Sequence, residues 1–205
     1  MSLDEATRSR IESFLDQDHV VLFMKGTRQF PQCGFSASTA GLLDRLVPEY
    51  TTVNVLEDDD IRQGIKDFAN WPTIPQLYID REFVGGCDLV QELFESGELH
   101  EMLGVAMPEP VTPEIRIEDD AAALIREAMQ GHENQALLLS VDARGNARLQ
   151  MGPEPSTALT VESAGLMLHT DPLSASRADG LVIELADTSQ GQGLRVHRPG
   201  RAPEE

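Results

Sequence analysis

Val20-Val-Leu-Phe-Met-Lys-Gly-Thr-Arg-Gln-Phe-Pro-Gln-Cys-Gly-Phe-Ser36 is the stretch on which the reading of this 205-residue chain turns. Its first five residues form a short continuous apolar run, the pattern of a strand buried on both faces of a sheet. The following residues read as a loop, and Phe35 to Leu46 fits a helix. Cys33 therefore falls after a strand, on a loop, at the first turn of a helix. Unpaired backbone N–H groups and partial positive charge at a helix start, together with the nearby Lys25 ammonium, favour thiolate over thiol. A thiolate is the form that attacks disulfides or binds metal. A CxxC redox pair would place its second cysteine at position 36, where this chain has Ser36, so Cys33 works with a thiol from elsewhere.

Reading outward, Ser2 with Glu5 is a capping box for a helix to about Gln17, with Ile11, Phe14 and Leu15 on its apolar face. Thr51 to Val55 reads as a strand, and Asp59 to Phe68 as a helix opened by acidic residues that suit its positive end. Gln76–Ile79 and Glu82–Gly85 form a hairpin across Asp80-Arg81, although that turn lacks the favoured glycine. One or two helices then run from Asp88 to about Leu103. This order predicts an α/β thioredoxin-like domain, a mixed four-stranded sheet with helices on both faces. In such a domain Pro75 of Trp71-Pro-Thr-Ile-Pro75 is the candidate cis proline, turning the preceding backbone outward to meet a peptide-like ligand. Gly85-Gly-Cys-Asp88 leads into a helix start whose N–H groups can receive a carboxylate. All three loops are expected at one end of the sheet.

Ala106 to Pro113 carries three prolines in eight residues and reads as a linker. The expected domains are 1–107 and 114–205, joined by 108–113. Both are acidic, with 19 acidic and 8 basic residues up to Met107 and 16 and 8 beyond it. A net charge of −19 repels phosphate backbones and anionic lipid headgroups, which argues against nucleic acid and membrane as partners. No apolar run approaches the ~20 residues that span a bilayer, and the acidic start is unlike a basic signal or transit peptide. A cytoplasmic protein is expected. Two cysteines cannot build a disulfide framework or a four-thiolate site within one chain. Beyond the linker, the pattern predicts one clear helix, Asp119 to Met129, and otherwise strands near 137–141, 147–151, 165–168, 181–185 and 194–196. The second domain is therefore expected to be a compact, sheet-dominated α+β unit, with a frayed tail from Arg198.

MKGTRQFPQCGFS, WPTIPQLYI and EFVGGCDL, three motifs in order across residues 1 to 107, resemble the monothiol glutaredoxins of the CGFS type. The resemblance implies a glutathione-binding thioredoxin fold carrying a [2Fe-2S] cluster between two protomers. Each protomer gives one cysteine, here Cys33, and two glutathione thiols complete the ligands. Carried over by motif, Lys25 and Arg62 pair with glutathione carboxylate, Ile74 offers its backbone, and Cys87 and Asp88 hold the γ-glutamyl end. Glutathione is a net anion and the domain is acidic, so Lys25 and Arg62, with Lys66 as a third, supply the local positive charge. The family often has proline after KGT, where this chain has Arg28, a change expected to widen or recharge the loop. Cys87 is read as a glutathione contact, with core filling and a Cys33–Cys87 disulfide as the alternatives, and Trp71 as a packing residue.

Asp171 to Glu184 followed by Gly193 to Pro199 resembles, more weakly, HesB-like A-type iron–sulfur carrier domains. Those bind iron through three cysteines, whereas residues 111 to 205 contain none, so the resemblance implies the fold and an interaction role without the metal site. His132, His169 and His197 show no metal-ligand spacing. Glu57-Asp-Asp-Asp60 lacks the spacing of a calcium loop and reads as a solvated helix start. The function so implied is binding and transfer of a [2Fe-2S] cluster to iron–sulfur acceptor proteins, as a homodimer or with a BolA-like partner, with little or no oxidoreductase activity. The alternatives are glutathione-dependent thiol–disulfide exchange through Cys33, and cluster-based sensing of iron or redox state with a partner recruited by the second domain.

Overall fold

Val20–Met24 forms strand β1, and all five of its residues are buried. Alternate residues of a strand serve opposite faces of its sheet. Val21 and Phe23 pack in a cluster with Ile11 and Leu15 of helix α1 (Glu5–Leu15) and with Ile61 and Ile65 of helix α3 (Asp59–Ala69). Val20, Leu22 and Met24, on the opposite face, are buried as well, and helices α2 (Gly34–Leu46) and α4 (Cys87–Ser96) pack on each other. A run apolar at every position is what burial on both faces requires. Strands β2 (Thr51–Asn54), β3 (Gln76–Ile79) and β4 (Glu82–Gly85) complete a sheet in the order β2-β1-β3-β4. β1 runs parallel to β2 and antiparallel to β3, which pairs antiparallel with β4. A short helix, α5 (Glu98–Met102), ends this unit.

The computed structural model describes residues 3–106, 108–109, 111–132, 134–154, 158–188 and 191–199. The chain divides into two compact units, Met1–Ala106 and Met107–Glu205. Ser2, expected to open α1, lies outside the described residues, as do Met107 and Pro110 of the linker stretch and residues 200–205 of the tail. The N-cap of α1 is Asp4, whose carboxylate accepts from the Thr7 N–H at 2.9 Å, and the helix ends at Leu15, two residues before the expected Gln17. The β3–β4 turn has no glycine because Asp80 and Arg81 themselves adopt positive φ, +49° and +69°, the sense of twist that a two-residue hairpin needs.

The second unit contains β5 (Ile115–Ile117), α6 (Asp119–Met129), β6 (Ala136–Val141), β7 (Ala147–Gly152), β8 (Leu159–Ser163), β9 (Leu166–Thr170), α7 (Pro172–Ala178), β10 (Leu181–Thr188) and β11 (Gly191–His197). One sheet has the order β11-β10-β5 and the other β7-β6-β9-β8. β5 lies beside β8 and β11 beside β7, so the strands go round a shared core and each sheet edge has a neighbour. Ile117, Ala122, Ile125, Leu139, Leu168 and Ile183 lie in that core. The expectation of a single helix here is corrected by α7, started by Asp171, whose carboxylate accepts from the Ser174 N–H, with Pro172 in its first turn. Cap and proline are a helix-start signature, outweighed in the pattern by how few residues follow.

Candidate functional site

The residues after β1 form a tight turn that delivers Cys33 to the start of α2. The Thr27 N–H donates to the Phe30 carbonyl at 3.2 Å and the Gln32 N–H to the Lys25 carbonyl at 2.9 Å. Gly26 makes the turn possible, since at its φ of +88° a Cβ would stand 2.4 Å from the Phe30 carbonyl oxygen. The Gly26 N–H donates to Asn54 Oδ1 at 2.8 Å, tying the turn to the end of β2. Cys33 is the N-cap of α2 with extended backbone, so its sulfur sits where the helix presents free N–H groups. The Ser36 backbone N–H holds the Cys33 thiol below its ordinary value, helped by the Phe35 N–H, the Lys25 ammonium and the Ser36 hydroxyl, against an opposing effect of partial burial. Ser36, at the position a resolving cysteine would take, is fully buried, and its Oγ accepts from the Lys25 N–H at 3.1 Å.

Cys33, Lys25, Arg62, Ile74, Cys87 and Asp88 all line one cavity of about 680 Å³. Lys66, one turn beyond Arg62 on α3, and Trp71 line it too. Three cations thus stand around an opening in an acidic unit. Both cysteines are free thiols. The Ile74–Pro75 peptide is cis, as the sequence pattern suggested for Pro75, and the Ile74 side chain is buried. Gly86 is the N-cap of α4, with Cys87 and Asp88 in the first turn. A Cβ on Gly86 would lie 3.1 Å from Trp71 Nε1 and 3.5 Å from the Pro75 carbonyl, so glycine lets that helix start close on the loop. Trp71 also packs on Phe83, with ring centroids 5.6 Å apart.

Gln76 is a residue the sequence reading did not single out. It is fully buried, its Nε2 donates to the carbonyls of Trp71 at 3.0 Å and Thr73 at 3.1 Å, and its Oε1 accepts from the Tyr78 hydroxyl at 3.1 Å. One amide therefore fixes the loop that bears Ile74. A polar residue inside an otherwise apolar strand was the available signal. Arg28 does not recharge the cavity, because it lies outside the lining and its Nε donates to Asp44 Oδ1 at 2.6 Å. Asp58, in the acidic run, is the N-cap of α3 and accepts from the Ile61 N–H at 3.0 Å. Among the described residues no three His, Cys, Asp or Glu side chains form a metal-binding group, and no helix is long and apolar enough to cross a membrane.

The Glutaredoxin family model matches residues 20–84. The monothiol glutaredoxin ycf64-like of Synechocystis sp. is 49% identical over 105 residues, which cover 51% of this chain and 98% of that relative. The chain belongs to the monothiol glutaredoxin family. Monothiol glutaredoxin-5 of Saccharomyces cerevisiae, named as mitochondrial, is 49% identical over 106 residues, covering 50% of this chain and 71% of that relative. The solution structure of reduced apo GrxS14 from poplar is 47% identical, covers 51% of this chain and 95% of that one, and superposes with a TM-score of 0.46. The two curated relatives each match about half of this chain, and the family model places the glutaredoxin match, and with it the thioredoxin-like fold, in the N-terminal part. That part holds every residue lining the cavity around Cys33.

Proposed function

We propose that the glutaredoxin unit binds glutathione and carries a [2Fe-2S] cluster as cargo, bridged between two protomers by Cys33 and a glutathione thiol from each, and passes it to iron–sulfur acceptor proteins. The observation that carries this reading is the single cavity in which a thiolate-favoured Cys33 meets three cations, the Ile74 backbone and the start of α4. An anionic tripeptide suits that lining. Its carboxylates would pair with Lys25 and Arg62, with Lys66 close by, its backbone with Ile74, and its γ-glutamyl end with Cys87 and Asp88. Charge-assisted pairing of this kind positions a ligand as well as holding it. The donor set fits a shared cluster: the chain brings a soft thiolate, and the remaining thiolates come from glutathione and a second protomer or a BolA-like partner. A cytoplasmic location and a HesB-like, cysteine-free docking role for residues 114–205 belong to the same reading.

A second reading is favoured by the same thiolate: monothiol exchange, in which Cys33 attacks the glutathione sulfur of a glutathionylated substrate, the substrate thiolate leaves, and a second glutathione attacks the glutathione sulfur now on Cys33, releasing glutathione disulfide and the Cys33 thiolate. The two separate in one preparation. Protein purified without oxygen in the presence of glutathione is expected to be a coloured dimer with about one iron, one sulfide and one glutathione per chain, colourless in Cys33→Ala. A colourless monomer that turns over glutathionylated substrate would overturn the carrier reading in favour of exchange. Sensing with a partner bound by the second unit is tested by capture on residues 108–205, and recovery of no specific protein counts against it.

A further inference from the structure

Arg28 is a charged residue of the loop leading to Cys33 that the glutathione reading leaves without a role. It sits at the tip of the turn between Lys25 and Gln32, whose base is closed by the Thr27 and Gln32 N–H bonds described above and tied to Asn54 and Ser36. At the tip, Arg28 Nε donates to Asp44 Oδ1 at 2.6 Å and its Nη1 to the Pro48 carbonyl at 3.1 Å. Its guanidinium lies 4.2 Å from the centroid of the Tyr50 ring. The Tyr50 hydroxyl donates to the same Asp44 oxygen at 3.0 Å. The Arg28 side chain is only 10% exposed. Asp44 lies in the last turns of α2, roughly 16 Å along the helix from the Cys33 end at 1.5 Å per residue. The tip of the turn is therefore fastened to the far end of the helix whose near end carries Cys33. The contact uses a planar fork and a flat face together, which lysine does not offer.

We propose that Arg28 is a positioning residue for the ligand cavity: by latching the turn onto Asp44, Pro48 and Tyr50 it holds Lys25 in place beside the start of α2, where its ammonium meets an anionic ligand. This rests on the glutathione reading above. Lys25 precedes Arg28 by three residues and its carbonyl is one of the groups that closes the turn, so a swinging turn would displace the ammonium. Arg28 itself stays outside the cavity and acts through Lys25.

The test uses the full chain and reduced glutathione, with the fluorescence of Trp71, the only tryptophan and part of the cavity lining, reporting occupancy. Arg28→Gln is expected to weaken binding roughly fivefold, the scale of a misplaced, half-exposed ion pair. Arg28→Lys should recover less than half of that loss. The deciding variant is Arg28→Gln with Lys25→Met: if Arg28 acts through Lys25, the pair binds no more weakly than Lys25→Met alone. Losses that multiply, or wild-type binding in Arg28→Gln, overturn the proposal. Should the wild type show no response to glutathione, the ligand reading fails, and amide exchange at Thr27 and Gln32 decides the latch on its own. Faster exchange there in Arg28→Gln, with α3 unchanged, supports it, and unchanged exchange overturns it. Asp44→Asn releases the same latch from the other side and serves if Arg28→Gln does not fold.

Discussion

At the residue scale the cavity depends on side chains of two kinds, those that face a ligand and those that hold the backbone which does. Gln76 is of the second kind. Replacing it with leucine leaves the Trp71 and Thr73 carbonyls and the Tyr78 hydroxyl without the partner they have now. Stranding buried polar groups costs about 1–3 kcal/mol each where no water reaches them, so Gln76→Leu is expected to destabilise the chain by roughly 2–4 kcal/mol. Denaturant unfolding measures this, and a change below about 0.5 kcal/mol would show that the loop has other supports. Cys33, Lys25 and the Trp71–Pro75 and Gly85–Asp88 loops were legible because punctuation and a lone thiol at a helix start stand out in sequence. Gln76 and Arg28 were not, because their partners are backbone carbonyls and distant side chains that no local pattern pairs with them. Arg28 reads as a change of charge in the loop, and only the fold reveals Asp44 against it.

At the element scale, β1 follows from a continuous apolar run, α2 and α3 from helical spacing with clear boundaries, and the four-residue strands β2, β3 and β4 from the turn and cap residues that bound them. The short β5, β8 and α7 do not, because three to seven residues give too little periodicity to outweigh their neighbours. α5 is shorter than any helix that holds itself in water, so its place depends on docking. Leu99 is fully buried, and the His100 ring, 3% exposed, packs 5.2 Å from that of Phe94, which the Arg45 guanidinium covers at 4.6 Å. Among the described residues neither His100 ring nitrogen has a hydrogen-bond partner. Burial, then the Arg45 charge, push the imidazole below its ordinary 6.5. The unfolded chain therefore takes up this proton first as pH falls, so the stability from neutral His100 is full above about pH 6.5 and lost below it. His100→Leu is expected to lose less melting temperature than the wild type between about pH 7 and pH 5. Equal losses in the two proteins would show that α5 does not respond to this histidine.

At the scale of the whole molecule, each unit has its own core, and all residues lining the cavity lie in the first. Residues 1–106 are therefore expected to fold alone and bind glutathione as the full chain does, with a calorimetric enthalpy on the order of 70 kcal/mol near 60 °C for a unit of this size. The full chain should show two transitions, one of which matches the fragment; a fragment that melts more than about 5 °C lower would show that the units lend each other stability. The second unit carries 16 acidic and 8 basic residues, so its removal takes away a large part of the negative field while leaving the cavity intact. On the carrier reading proposed above, if that field steers delivery toward basic faces on acceptors, a fragment loaded with cluster will hold it as firmly as the full chain but transfer it more slowly at low salt, and the difference will shrink as salt screens both proteins. Equal transfer rates at low salt would remove charge from the account of what residues 107–205 do. A difference that persists at high salt would instead mark a contact surface on the second unit.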